Sequence, residues 1–357
     1  MSDADREQPG RSRPEPLEAS PVGFTDSALG PRATRGPLSR TSIAVVTYHS
    51  CEALGVCLGT LRRERPAEIF VADNGADAQT AEMVRSSFPE VHYRRFADNP
   101  GYGEALNRLL AEASQPFAVL LNADTAVHSG SVRVLERHLE RHSRVALVGP
   151  RLIDEDGSTQ PSCYPVPTPF HLFLEESGAW KLARWVPGVR NRYLRTWAHD
   201  RVRQVPWVLG AAMAVRKAAF DDVGGFDRDY FLYYEEVDLC LRLDRAGWEI
   251  HFTPDAAVTH AGGVSTSHDQ VVAKRALFAS AAQFYRTYGT RRRRLAFRAL
   301  VVVLTLARLA QAAVMAMLGR RAERSFGGTD AARAALLTLV DALRGWDRPI
   351  RPVRGGQ

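Results

Sequence analysis

Phe117-Ala118-Val119-Leu120-Leu121-Asn122-Ala123-Asp124 sets five apolar residues directly against an amide and a carboxylate. A run this short and this apolar suits a strand buried on both faces, as in a parallel sheet covered by helices. Related runs precede it: Ile43-Ala44-Val45-Val46-Thr47-Tyr48, Glu68-Ile69-Phe70-Val71-Ala72 and the more polar Val91-His92-Tyr93-Arg94. Helical stretches separate them, at about 52–63, 78–87 and 102–112. Strands and helices alternating at this spacing make βαβ units and a mostly parallel α/β sheet with flanking helices. Ligands of such sheets bind beyond the carboxyl ends of the strands. The polar residues that fall there are Thr47, Tyr48, Asp73, Asn74, Asn122 and Asp124.

Further along, Trp207 to Val215 reads as a strand with a small-residue centre, Gly210-Ala211-Ala212. A helix is expected at 235–246, two short strands at 249–252 and 257–260, and helical structure from about 268 onward. Residues 161–205, rich in proline, aromatics and arginine, give no clear assignment. Residues 1–40 combine Pro, Gly, Ser and Arg without an apolar period and read as a disordered leader.

The chain has 357 residues, enough for one large α/β domain with extensions. Its net charge of +7 is uneven: residues 291–357 hold fourteen arginines against four acids, a net of about +10. The rest is slightly acidic. A basic tail points to an anionic surface, and without a recognition module beside it nucleic acid is not expected. Cys51, Cys57, Cys163 and Cys240 form neither a C-x-x-C pair nor a zinc-spaced cluster, and read as free thiols in a reducing compartment. No apolar leader segment opens the chain, so the expected place of action is the cytoplasmic side.

Four features carry candidate chemistry. Asp124 ends a buried strand, where a carboxylate can hold a divalent cation against phosphate oxygens; the plainer alternative is a cap for a following helix. His260 ends a later strand, and a neutral imidazole there is either a second metal ligand or structural. Glu235, Glu236 and Asp238 follow the aromatic run Phe231-Leu232-Tyr233-Tyr234, with Glu235 and Asp238 on one helix face. They offer a general base for a hydroxyl, or merely complement the helix dipole. Asn99-Pro100-Gly101-Tyr102-Gly103 opens a helix, a place suited to anions. It lacks the G-x-G-x-x-G spacing and follows the third strand, which argues against a dinucleotide-dependent dehydrogenase.

In order, the segments VVTYHS (45–50), VADNGAD (71–77), DNPGYGEALN (98–107), LLNADT (120–125), GPRLIDEDGS (149–158), WVLGAAMAVRKAAFDDVGGFD (207–227), YFLYYEEVDLCLRLDRAGW (230–248) and TPDAAVTHAGGVST (253–266) resemble family 2 glycosyltransferases. The resemblance covers roughly residues 42–290 and is nearest to bacterial rhamnosyltransferase-like members. It implies a GT-A fold at 41–290 and an inverting, metal-dependent transfer of a sugar from a nucleotide-sugar to a hydroxyl. L-rhamnose from dTDP-rhamnose is the leading sugar, with a UDP-sugar as the alternative. The acceptor it implies is a glycan or polyprenyl-diphosphate-linked saccharide of cell-envelope polysaccharide synthesis.

The resemblance also assigns roles. Thr47, Tyr48 and Asp73 fall beside the nucleotide, and Asn99, Gly101 and Asn107 in the loop flanking the nucleotide-sugar. Asn122-Ala123-Asp124 matches the D-x-D-like motif, with Asn in its first position, so Asp124 is the main ligand for Mg2+ or Mn2+ and His260 supports it. Glu236 matches the second acid of the family's E-D pair, where Glu replaces Asp; the longer side chain leaves Glu235 and Asp238 in contention. Trp207 and Gly210 fall on the acceptor side. The Q-x-x-R-W signature of processive synthases is absent from 261–290. The departures at 122 and 236 also leave open a catalytically silent scaffold.

The tail, 291–357, contains a strongly apolar stretch, 299–318, interrupted by Arg308 and Gln311 and flanked by arginines. Its longest uncharged run, 309–319, is too short to span a bilayer. The stretch is expected either as an amphipathic helix lying on the inner face of the cell membrane or as a helix packed on the catalytic domain.

Overall fold

The structure is a computed structural model that describes residues 39–183, 197–262, 270–317 and 328–344. The chain divides into Met1–Gly36 and Pro37–Gln357. The expected leader lies almost wholly outside the described residues, and everything below belongs to the second unit.

In chain order the elements are β1 (Thr41–Thr47), α1 (Cys51–Glu64), β2 (Glu68–Asp73), α2 (Ala78–Ser87), β3 (His92–Arg95), α3 (Tyr102–Glu112), β4 (Phe117–Asn122), β5 (Thr125–Val127), α4 (Ser131–Arg141), β6 (Val145–Ile153), β7 (Thr159–Gln160) and β8 (Cys163–Tyr164). Then follow α5 (Pro169–Ser177), α6 (Trp180–Ala183), β9 (Arg203–Gln204), β10 (Trp207–Val208), β11 (Ala212–Arg216), α7 (Lys217–Asp222), α8 (Glu235–Arg245), β12 (Glu249–His260), α9 (Gln270–Tyr288), α10 (Arg291–Met317) and α11 (Gly328–Arg344). The main sheet runs β3-β2-β1-β4-β11-β6-β12-β5, with β7 on β6 and β9 on β12. From β3 to β4 the strands are parallel, as expected, and β11 enters antiparallel between β4 and β6.

Alternation along the strands builds a core on each face of the sheet. Ala44, Val46, Ala72 and Leu120 face α3 through Ala105, Leu106 and Leu109. Ile43, Val45, Val71 and Leu121 face the other way, onto Leu54, Leu58 and Leu61 of α1 and Leu135 and Leu139 of α4. Both faces are covered, so β1 is buried along its whole length.

Two expectations change, and one unassigned stretch proves to be a strand. Trp207–Val215 is not one strand: β10 pairs with β8 in a separate ladder, and the chain crosses Leu209–Ala211 before β11 joins the main sheet. Leu209 N–H is drawn to Ser162 O at 2.8 Å, so hydrogen bonding to two ladders divides the run. The stretches 249–252 and 257–260 are one strand, β12, with an irregularity between Thr253 and Ala257. Val145–Ile153, unassigned from sequence, is the central strand β6; its Gly149-Pro150 masks the strand pattern.

In the tail, α10 buries one face. Phe297 and Val301 share a core with Phe278, Phe284 and Tyr285 of α9, Tyr230 and Tyr234 ahead of α8, and Ala342 of α11. Buried Glu176 of α5 accepts ion pairs from Lys274 of α9 and Arg308 of α10. Arg275 pairs with Asp341 at 2.9 Å. The packed-helix expectation therefore describes this inner face. No helix among the described residues is long and apolar enough to cross a membrane.

Candidate active site

The site begins where β1, β2 and β4 end. Ala123 N–H donates to Val46 O at 3.1 Å and Asn122 N–H to Ala211 O at 3.0 Å, carrying the ladder to the last residue before Asp124. Thr125 then starts β5, and α4 begins only at Ser131, so Asp124 caps no helix. Across from it β12 ends at His260, in register with Thr125. His260 Nε2 lies 3.5 Å from Asp124 Oδ1, and both residues are buried. The sequence placed these two on different strands; pairing of β12 with β5 brings them together.

The far side of the His260 ring decides what faces Asp124. Gln160 Nε2 donates to Asp154 Oδ1 at 2.7 Å, and a carboxylate only accepts. Gln160 Oε1 is thereby turned to His260 Nδ1, 2.8 Å away, so that nitrogen carries the proton. In the neutral ring Nε2 then presents a lone pair to the carboxylate. Two acceptors face each other, an arrangement a cation between them satisfies. Among the described residues no group of three or more His, Cys, Asp or Glu side chains stands ready to hold a metal alone. Asp124 and His260 therefore fit as two protein ligands of a divalent ion, which would need further oxygen ligands from outside the described side chains.

The loop before α3 forms the next wall. Gly101 has φ +92°, and a Cβ there would lie 2.2 Å from Phe231 O, so only glycine fits. Tyr102 N–H donates to Phe231 O at 3.1 Å, and Asn74 Nδ2 donates to Gly101 O at 3.0 Å. Asn99, φ +37°, sits in the turn that leads in. Tyr102 Oη donates to Gly210 O at 2.6 Å. Burial, followed by the charges of Glu235, Glu236 and Asp124, pushes the Tyr102 hydroxyl pKa well up, which places this ring among the three carboxyl groups. Asn107 is not brought here. Its Nδ2 donates to Phe226 O and its Oδ1 accepts from Phe226 N–H, both at 2.9 Å, so it clamps the Gly224-Gly225-Phe226 turn.

Glu235 and Glu236 open α8 behind two residues in the left-handed region, Tyr233 (φ 68°) and Tyr234 (φ 70°). Such consecutive strained positions cost of order 1–3 kcal/mol each and hold the acids at a fixed angle. Both carboxyls are buried, and the Oε2 of each has no hydrogen-bond partner among the described residues. Burial raises the pKa of both. For Glu235 the charge of Glu236 adds to the rise. For Glu236, N–H groups including that of Gly210 on the neighbouring segment pull back toward the charged form. Asp238 stands apart. Its Oδ2 receives Arg242 Nε at 2.7 Å and its Oδ1 receives Tyr288 Oη at 2.5 Å. Both Asp238 oxygens are thus engaged by Arg242 and Tyr288, unlike the Oε2 atoms of Glu235 and Glu236.

Residues 39–290 match the family described as "Glycosyltransferase like family 2". The chain belongs to this family. An N-acetylglucosaminyl-diphospho-decaprenol L-rhamnosyltransferase of Mycobacterium tuberculosis is 33% identical over 244 residues, covering 64% of this chain and 78% of the relative. The rhamnosyltransferase WbbL of Escherichia coli is 46% identical over 56 residues, 16% of this chain and 21% of its own. Among solved structures, the mannosyltransferase PcManGT from Pyrobaculum calidifontis, in complex with GDP-Man and Mn2+, superposes with a TM-score of 0.50 at 16% identity over 87% of this chain and 88% of its own. The fold is GT-A, and the protein is a glycosyltransferase of the rhamnosyltransferase-like kind.

On this glycosyltransferase the remaining candidates fall as follows. Thr47 Oγ1 and Asn74 Oδ1 are buried without partners among the described residues, at the ends of β1 and β2. Tyr48 stands beside His49, ring centres 4.4 Å apart. Asp73 is wholly buried and accepts from Gly75 N–H and Asp77 N–H, each at 3.0 Å, and from Tyr93 Oη. Its carboxylate shapes the β2–α2 turn. Trp207 stacks on Tyr164 at 4.8 Å and donates its Nε1–H to Pro165 O. Gly210 lies against Glu236, where an added Cβ would be 3.5 Å from Oε1. Gln160, Asp154, Tyr102 and Arg242 were not singled out from sequence; Asp154 and Gln160 stand in and just beyond GPRLIDEDGS, a quoted segment that had been given no role.

Proposed function

We propose that this glycosyltransferase transfers one sugar with inversion, L-rhamnose from dTDP-rhamnose, onto a hydroxyl of a polyprenyl-diphosphate-linked saccharide at the inner face of the cell membrane. The observation that carries the chemistry is the pairing of Asp124 with His260 at 3.5 Å together with buried Glu236 beside Gly210, whose carbonyl Tyr102 holds. The sugar and acceptor rest on the 33% identity to the mycobacterial rhamnosyltransferase.

Thr47, Asn74 and the Gly101 loop line the nucleotide-sugar side, where Thr47 Oγ1 and Asn74 Oδ1, without partners among the described residues, supply polar contacts. Asp124 and His260 would hold Mg2+ or Mn2+, which when bound would supply charge neutralisation for the nucleoside diphosphate. Glu236 is the base. It takes the proton from the acceptor hydroxyl, whose oxygen forms a bond to the anomeric carbon as the bond to the phosphate oxygen breaks. Burial and the charge of Glu236 raise Glu235 beside it, which favours its protonated form, as in other carboxyl pairs that divide their roles. Direct displacement needs no covalent intermediate with the enzyme. Trp207 and Gly210 border the acceptor side.

The test is nucleoside diphosphate release from dTDP-rhamnose and a panel of UDP-sugars, with a polyprenyl-diphosphate-linked N-acetylglucosamine acceptor, in Mn2+ or Mg2+ and in chelator. Chelator-sensitive turnover of dTDP-rhamnose is expected. Turnover of a UDP-sugar alone would replace the donor, and turnover unaffected by chelator or by Asp124→Ala would remove the metal.

A further inference from the structure

Helix α10 buries only half of itself. Phe297, Val301 and Thr305 face the protein and are at most 4% exposed. Opposite them, at steps of three and four residues, run Leu295, Ala299, Val303, Leu306, Ala310 and Val314, all exposed. Leu295, Val303, Leu306 and Val314 expose 50–62% of their surface. Residues at this spacing share one face. The stripe therefore runs for about five turns with no protein over it among the described residues.

The charge beside the stripe says what covers it. Arg291, Arg292, Arg293 and Arg294 are exposed at its amino end, and α10 contains no acidic residue. At that end lies a cavity of about 180 Å³ bounded by Leu241, Phe284, Tyr285 and Tyr288, with Arg245 and Arg293 at its edge. Arg245 comes from α8, the helix that opens with the catalytic acids, and its guanidinium lies 4.6 Å over the Tyr288 ring. A soluble protein partner for so apolar a stripe would have to bring acids to the arginines; a bilayer with anionic headgroups brings both the apolar depth and the charge.

We infer that the outer face of α10, with the Arg245–Arg293 cavity at its amino end, is a docking surface for an anionic bilayer, the cavity taking a lipid phosphate. The surface deepens the membrane placement proposed above and rests on it. Both expectations for the tail then hold for one helix, whose inner face packs on the domain while its outer face lies in the lipid interface. Because α8 and the cavity share Arg245, docking sets the acceptor side at a fixed height above the membrane.

The test is co-sedimentation of the full chain with phosphatidylcholine vesicles, plain or containing phosphatidylglycerol. Wild-type protein should sediment with the anionic vesicles and stay largely in solution with the neutral ones. Val303→Asp with Leu306→Asp should lose at least tenfold in partitioning, with the melting temperature unchanged since both side chains are exposed. Arg245→Ala with Arg293→Ala should lose roughly twenty-five-fold, at about fivefold for each arginine near an anionic surface. Equal sedimentation of wild type and the double aspartate variant overturns the surface, as does wild type that ignores anionic vesicles. Loss of a dimer in the aspartate variant, seen by sedimentation velocity, reassigns the stripe to a second copy. Donor turnover is read separately without vesicles: protein that binds vesicles but transfers no sugar sinks the donor reading and leaves the surface standing.

Discussion

His260 Nδ1 lies 2.8 Å from Gln160 Oε1, and that contact fixes which nitrogen of the ring faces Asp124. Partners of this kind behind a metal-binding histidine typically carry 10–100-fold in affinity. Gln160→Leu should weaken Mn2+ binding by that factor, measured by electron paramagnetic resonance titration with nucleoside diphosphate present. Unchanged Mn2+ affinity in the leucine variant would remove the orienting role.

Glu235 and Glu236 share one buried environment but differ in the donors around them. Glu236→Gln should reduce kcat by a hundredfold or more while leaving donor binding intact. Glu235→Gln, which keeps an uncharged side chain, should cost much less. Burial raises the pKa of the base, and the base works deprotonated. Activity should therefore fall as pH drops through a value above the ordinary carboxylate range. A larger loss in Glu235→Gln would exchange the two roles.

Asp238 is a structural anion. Removing it leaves the half-buried Arg242 guanidinium without its carboxylate, a change that costs about 3 kcal/mol where a buried pair is broken. Asp238→Ala should lower the chemical denaturation midpoint accordingly. The folded fraction should retain normal donor affinity. A stable, inactive variant would return Asp238 to the catalytic group.

Gly101 offers a steric test of the loop. With φ +92° and Phe231 O only 2.2 Å from an added Cβ, Gly101→Ala must displace the chain ahead of α8. The expected result is a loss of about 2 kcal/mol in stability together with a raised KM for the donor. Normal KM in that variant would separate this loop from the nucleotide-sugar side.

At the other end of the sheet three histidines meet. His138 Nε2 lies 3.0 Å from His251 Nδ1, His142 stacks on His138, and Glu249 bonds the far side of His251. Burial, and then the charges of His142 and His251, depress His138 to about 4, against a weaker pull from Asp255. The unfolded chain binds this proton near pH 6.5 and the folded chain does not, so stability is full above 6.5 and is lost as pH falls toward 4. Between pH 7.5 and 5 the loss should be roughly 2 kcal/mol. His138→Gln should flatten that dependence in urea titrations at the two pH values.

Much of this was legible in the residues. The runs at 43–48, 68–72 and 117–121 determine a parallel sheet because only strands covered on both faces are apolar throughout, and their polar ends mark the ligand side. Asp124 and the acids at 235, 236 and 238 stood out because an acid at the end of a buried strand, or after an aromatic run at a helix start, breaks the local pattern; the choice of Glu236 among them came from the family resemblance. Sequence could not separate Asp238 from its neighbours, since helix periodicity says nothing about Arg242 and Tyr288 arriving from the same helix and from α9. Nor could it join Asp124 to His260, or His260 to Gln160, because those contacts depend on β12 pairing with both β5 and β6 while β6 carries β7. The strand pattern is local and is written in the order of residues. The protonation, pairing and reach of each polar group are set by what lies across the sheet, and that only the tertiary structure decided.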